Sequence, residues 1–134
     1  MATGAYQFSI SDNGSLIYAE GQLSGGASQY ALQLVDRSGI ARRLSLPPAP
    51  YNAPRISPNG KQAAFSTDDN KEAIVWIYDL DGKTSMRRLT FGGKNINPVW
   101  SADGQRIASA TRSREVVWTT DFTGSRWKRA REKR

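Results

Sequence analysis

The chain has 134 residues, a formal net charge of +7, and neither histidine nor cysteine. Those two absences exclude a Ser-His-Asp triad, a Cys-His dyad, a histidine zinc site and any disulfide framework within it. Most of the charge is terminal: Arg126 to Arg134 carries six basic residues and Glu132, which leaves only +2 for the other 125 residues. The body of the molecule is therefore no polycation, and nucleic acid is a disfavoured partner.

In chain order, Met1 to Tyr6 shows neither a basic n-region nor an apolar h-region, and no later stretch approaches 18 consecutive apolar residues. That reads as a chain without a leader or a membrane span. The strand pattern begins within ten residues of Met1, as expected of a piece of a longer protein. The first unit opens with the turn Ser11-Asp12-Asn13-Gly14 and continues to a second turn, Asp36-x-x-Gly39. Between them Gly21, Gly25 and Gly26 lie in a connection with no ordered nucleotide fingerprint.

The second unit has the clearest pattern. After the link Leu46 to Pro54, an innermost strand is expected at Pro54 to Ser57, a second at Gln62 to Thr67, a third at Ala73 to Leu80 and an outer one at Met86 to Phe91. The turn Ser57-Pro58-Asn59-Gly60 puts Pro where φ is near −65° and Gly where φ turns positive, which is hairpin chemistry. Asp79-x-x-Gly82 repeats the second turn. The third unit follows the link Gly92 to Pro98, turns at Ser101-Ala102-Asp103-Gly104, and reaches Asp121-x-x-Gly124. Its outer strand should repeat the Arg-Leu pair of Arg43-Leu44 and Arg88-Leu89, but Arg126-Trp127-Lys128-Arg129 stands there. The third unit is therefore expected to decay into a disordered basic tail over 126–134.

The hairpin glycines, Gly14, Gly60 and Gly104, fall 46 and 44 residues apart, and the aspartates of the second turn fall 43 and 42 apart. Two independent turn chemistries on one period indicate a repeat, and the period is that of four-stranded propeller blades. The expected fold is all-β: a partial β-propeller of about three antiparallel blades, approximately 6–47, 54–91 and 98–129, within a domain of 1–125. A ring needs about 4 to 8 blades, so three leave two end faces open. With about 400 Å² of apolar surface on each, the lost burial is about 10 kcal/mol per face, as much as the whole stability of many domains. Self-association through those faces is an expectation.

The runs Pro54 to Ser66 (PRISPNGKQAAFS), Ile77 to Lys83 (IYDLDGK), Arg87 to Gly93 (RRLTFGG) and Pro98 to Ala108 (PVWSADGQRIA) resemble the TolB-type, WD-like β-propeller repeat of bacteria. They are most similar to the propeller arrays that follow the kinase domain in some bacterial serine/threonine kinases. The likeness spans about residues 6 to 125. It implies a non-catalytic platform that binds or senses a protein or small ligand, with any chemistry on another domain. It leaves the compartment open and admits an extracytoplasmic, periplasmic one. Asp12 and Ala102 depart from the proline of the repeat's Ser-Pro-Asp-Gly turn. A second reading is the lid-like propeller of a prolyl-oligopeptidase-type hydrolase, whose Gly-x-Ser-x-Gly segment this chain lacks.

No catalytic residue, cofactor or metal site is expected. Ser57 and Lys61 belong to a hairpin turn and its flank. Gly82-Lys83-Thr84 imitates the end of a phosphate-binding loop, but Ile77 stands where the motif needs glycine. Asp68, Asp69, Asn70 and Glu72 gather oxygen atoms without the spacing of an EF-hand and read as a solvated loop. The recurring aspartates are read as turn-shaping. Trp76, Trp100 and Trp118, with Tyr78, are assigned to equivalent strand positions and to packing between blades. A binding face is expected where the links and the loops between second and third strands emerge together. Its candidates are Tyr51, Asn52, Asp68, Asp69, Lys94, Asn95 and Asn97.

Overall fold

A computed structural model describes residues 8–21, 29–111, 116–119 and 127–130, the last two stretches as backbone. Three meanders follow one another. The first contains β1 (Phe8–Ile10), β2 (Leu16–Gly21), β3 (Tyr30–Val35) and β4 (Ala41–Arg43). The second contains β5 (Tyr51–Ile56), β6 (Gln62–Asp68), β7 (Ala73–Asp79) and β8 (Arg87–Arg88). The third contains β9 (Asn95–Trp100), β10 (Ile107–Thr111), β11 (Val116–Thr119) and β12 (Trp127–Ala130). Each forms its own four-stranded antiparallel sheet in sequence order, so the fold is a partial all-β propeller of three blades.

The hairpin turns explain the period atom by atom. In each, the glycine N–H returns to the serine carbonyl, at 3.0 Å for Gly14 to Ser11 and 2.9 Å for both Gly60 to Ser57 and Gly104 to Ser101. The serine hydroxyl meets the carbonyl or carboxylate oxygen of Asn13, Asn59 or Asp103. That same oxygen accepts a backbone N–H two residues on, from Ser15, Lys61 or Gln105. All three glycines have positive φ, 85°, 73° and 70°, where a side chain would be strained.

Two cores lie between the sheets. One joins Ile17 and Leu32 of the first blade to Tyr51, Ile56, Ala63, Phe65 and Tyr78 of the second. The other joins Ala64 and Ile77 to Ile107, with Leu89 and Trp100 packed against them. Tyr51 and Phe65 meet edge to face at 5.2 Å. Polar ties cross the same seams: the Ser9 hydroxyl accepts the Ile56 N–H at 3.3 Å, Arg42 donates to the Leu80 carbonyl at 2.6 Å, and the Trp100 indole donates to the Arg55 carbonyl at 3.0 Å.

Several expectations are corrected. The second blade's innermost strand begins at Tyr51, three residues early, because Ala53-Pro54 forms a bulge inside the strand with Ala53 at φ 49°. Its outer strand shrinks to Arg87–Arg88. The third outer strand exists: β12 pairs with β11 through Val117↔Arg129 and Trp118↔Lys128. Residues 127–130 are therefore a ladder strand and not part of a disordered tail; Arg126 and 131–134 lie outside the described residues. The reason is positional. Outer strands carry consecutive cations in every blade, Arg42-Arg43, Arg87-Arg88 and Lys128-Arg129, opposite the same register positions of the third strand. Cations on an edge discourage a further strand from adding.

The tryptophans are not equivalent either. Trp76 pairs with Phe65 on the third strand of its blade, Trp118 pairs with Ala108, and Trp100 closes an innermost strand.

Candidate functional site

A four-stranded meander sends its links and second-to-third-strand loops to one end and its two hairpin turns to the other. The expected face is the first of these, and the structure brings together only part of it. Asp68 ends β6 and Asp69 begins the loop after it. The Asp68 carboxylate accepts the Asn70 N–H at 2.9 Å, and Asp69 accepts those of Lys71 and Glu72 at the same distance. Those backbone donors hold the Asp69 carboxyl below the usual carboxylate range, Glu72 first and Lys71 second. Lys94, on the link into the third blade, donates to the Asn70 carbonyl at 3.0 Å, which ties link to loop. Among the described residues no group of three or more acidic side chains is placed to hold a metal ion.

The other candidates have structural tasks. Tyr51 is 1% exposed, its ring is in the first core, and its hydroxyl donates to the Pro47 carbonyl at 2.5 Å. Burial pushes its phenol pKa up. Asn52 is half-buried, and its carbonyl accepts the Ser66 hydroxyl at 3.1 Å. Asn95 is buried and donates to the Gly92 carbonyl at 2.9 Å, bracing the link. Asn97 is exposed, with φ 54°, at a bulge matching Ala53-Pro54 in the preceding blade. Asparagine tolerates that left-handed conformation better than most residues.

Two neighbours were missed by sequence reasoning. Phe91 is 58% exposed at the end of the blade, with the Arg88 guanidinium 5.1 Å from its ring centroid. Arg88 is itself held by Glu72 at 3.2 Å and by the Thr90 carbonyl at 2.8 Å. An exposed aromatic ring beside a held cation and the Asp68–Glu72 loop can grip a protein surface through stacking and charge. The available signal was Phe91-Gly92-Gly93, an aromatic residue directly before two glycines that both have positive φ.

The opposite end carries an open groove of about 640 Å³ between the first two blades. Arg42, Asn59, Lys61, Gln62, Asp79 and Asp81 are among its walls. Its polar groups are mostly engaged in holding turns. Asp79 accepts from Gln62 at 2.8 Å and Thr84 at 2.7 Å, and these, with a weaker pull from Arg87, lower its pKa against the opposing effect of burial. The Asp-x-x-Gly turns differ in how the carboxylate is held. Asp36 accepts the backbone N–H groups of Ser38 and Ile40, whereas Asp79 is bound by side chains. Asp121 lies outside the described residues.

No family model matches the chain. It is 33% identical over 84 residues to the Tol-Pal system protein TolB of Thioalkalivibrio sulfidiphilus, an alignment covering 62% of this chain and 19% of that protein. The chain thus spans about a fifth of the length of the curated relatives it matches. Among solved structures, TolB from Acinetobacter baumannii superposes with a TM-score of 0.70 at 24% identity, over 93% of this chain and 32% of that one. The β-propeller domain of the Trilobed protease from Pyrococcus furiosus gives 0.65 at 14% identity, over 84% and 36%. The chain is TolB-like in sequence and a propeller in fold.

Proposed function

We propose that this chain is a non-catalytic propeller module that docks a protein partner, working as part of a larger protein. The observation that carries this reading is the corner where Phe91, Arg88 and the Asp68–Glu72 loop stand together on the link face. The ring is exposed and its neighbours are fixed by the bonds described above. Rigid aromatic anchors flanked by arginine are what protein interfaces use for most of their binding energy. The chain has no histidine or cysteine and so carries no His- or Cys-dependent catalytic set. The likeness to a protein named as a Tol-Pal system protein supports the same reading.

The test is crosslinking of the chain to its bound partner in cells, with the partner identified by mass spectrometry. Phe91→Ser should lower partner occupancy by about 10-fold or more, as loss of an aromatic anchor does. Lys61→Glu on the opposite end should leave occupancy intact. Equal loss from both substitutions, or from neither, would remove the link-face assignment.

A second reading has one observation in its favour, the superposition on a protease's propeller domain. In that case the module would gate a hydrolase domain encoded beside it, carrying Gly-x-Ser-x-Gly with a later Asp and His. The adjoining coding sequence decides between them. Under either reading the isolated chain should leave peptide p-nitroanilides uncleaved.

A further inference from the structure

The groove of about 640 Å³ lies at the hairpin end of the seam between the first and second blades, and its size is that of a small-ligand site. Further blades of a ring add beside the first or the third sheet, and so leave this groove as it is. Leu34 of β3 and Leu80, directly after β7, supply its apolar surface. Arg42 of β4 and Lys61, directly before β6, supply two cations. The Arg42 guanidinium crosses the seam to the Leu80 carbonyl, at 2.6 Å, which fixes it at the groove and leaves N–H groups over for another acceptor. The Lys61 ammonium has no hydrogen-bond or ion-pair partner among the described residues.

Two carboxylates stand in the same walls. Asp79 is already engaged, since it accepts from Gln62 and Thr84 and pairs with Arg87 at 3.4 Å. Asp81 has less. Among the described residues it accepts only the Lys83 N–H, on one oxygen at 2.9 Å.

The repeat supplies an internal control for the two cations. Ile77 pairs with Arg87 as Leu34 pairs with Arg42, so Arg87 holds the place of Arg42 one blade on. It turns to Asp79 of its own blade and not across a seam. In the third hairpin Gln105 holds the place of Lys61, and its N–H makes the same bond to the turn. The blade fold therefore calls for an unpaired cation at neither place. The first seam has one at each.

We infer that this groove takes the carboxyl-terminal end of a peptide whose last side chain is apolar. Arg42 and Lys61 hold the α-carboxylate, the last side chain lies against Leu34 and Leu80, and Asp81 takes a basic group one or two residues back. Charge-assisted bonds to a terminal carboxylate are the strong contacts of such a site, and peptide ends are a recurring target of this kind of recognition. A plain anion would leave the leucines unused and meet Asp81. A plain cation would meet Arg42 and Lys61. An extended segment with both signs around an apolar group answers all of them. The groove is at the other end of the blades from Phe91, so this is a second site, separate from the docking corner.

The test titrates the full 134-residue chain, followed by nuclear magnetic resonance, with acetyl-Lys-Ala-Leu as the free acid and as its carboxamide. The backbone N–H signals of Gly60, Lys61 and Asp81 should move with the free acid at a Kd of about 1 mM or below, and the amide should bind at least about 10-fold more weakly. Lys61→Gln installs the residue type that the third hairpin already uses, so the chain stays folded, and it should weaken the free acid about 5- to 10-fold. Asp81→Asn should abolish the preference for acetyl-Lys-Ala-Leu over acetyl-Ala-Ala-Leu. Equal binding of acid and amide, indifference to Lys61→Gln, or no movement of those signals up to about 10 mM peptide would overturn the inference. Movement confined to the signals around Phe91 would overturn it too, by assigning the peptide to the link face.

Discussion

Asn97 and Ala53 occupy the same bulge in successive blades, each directly before a buried proline and each with positive φ. The left-handed conformation costs an alanine about 1 kcal/mol, and asparagine less. Asn97→Ala should therefore lower stability by about 1 kcal/mol, and Ala53→Gly should raise it by about 0.5 kcal/mol, both read from the urea midpoint. At Phe65, fully buried and edge-on to Tyr51, substitution by alanine leaves a cavity in the first seam. The expected loss is about 3–5 kcal/mol. Ser109 is the reverse case: its hydroxyl is buried with no hydrogen-bond partner among the described residues. Ser109→Ala should stabilise the chain by about 1 kcal/mol in the same measurement, and an equal loss would mean that the hydroxyl is bonded after all.

At the scale of elements, the turns make stability depend on acid. The Asp36 and Asp103 carboxyls lie below their ordinary range chiefly because the hydroxyls of Ser38 and Ser101 donate to them, and Asp79 because Gln62 and Thr84 do. A carboxyl with a depressed folded pKa binds fewer protons in the folded state. Its contribution is complete above the unfolded value, about 4, and is lost as pH falls through the lower folded value. The urea midpoint should be level from about pH 7 to 5 and drop below about 4, with a shallower drop in Asp79→Asn. A midpoint that rises on acidification would contradict the turn assignments.

Elements also show what was legible. The hairpins could be read because Ser11, Ser57 and Ser101, with the Asn or Asp two residues later and a glycine after it, satisfy one backbone geometry that few other residues can. The third outer strand could not be read by hydropathy, since an edge strand needs only its backbone to pair. Its mark was the doublet Lys128-Arg129, which keeps step with Arg42-Arg43 and Arg87-Arg88. Trp100 was misplaced although the period itself separates it from Trp76 by 24 residues, too few for one repeat. Asp68, Asp69 and Lys94 do lie at one end of the second blade, because loop position follows from counting strands. Tyr51 and Asn95 turned inward because the strand starts at the link itself, and strand parity, not loop composition, decides which side chains are buried.

For the whole molecule, stability resides in the seams, since each sheet is only four strands of modest length and buries its apolar side chains against the next. No helix among the described residues is long and apolar enough to cross a membrane. Copies of a chain with net charge +7 repel one another, so salt should strengthen any association through the apolar end faces. Sedimentation equilibrium at about 0.05 and 0.5 M salt reads this directly, and weakening by salt would indicate ion pairing across the contact in place of apolar burial.

The radial stacking of separate sheets is open to a direct measurement, methyl-to-aromatic and methyl-to-methyl nuclear Overhauser contacts in solution. Ile17 and Leu32 should show contacts with the second-blade cluster around Tyr51 and Phe65, and Ile107 with Ile77. No contact should join Ile17 to Ile107. Cross-peaks between those two, marking a single core shared by the first and third meanders, would contradict the propeller.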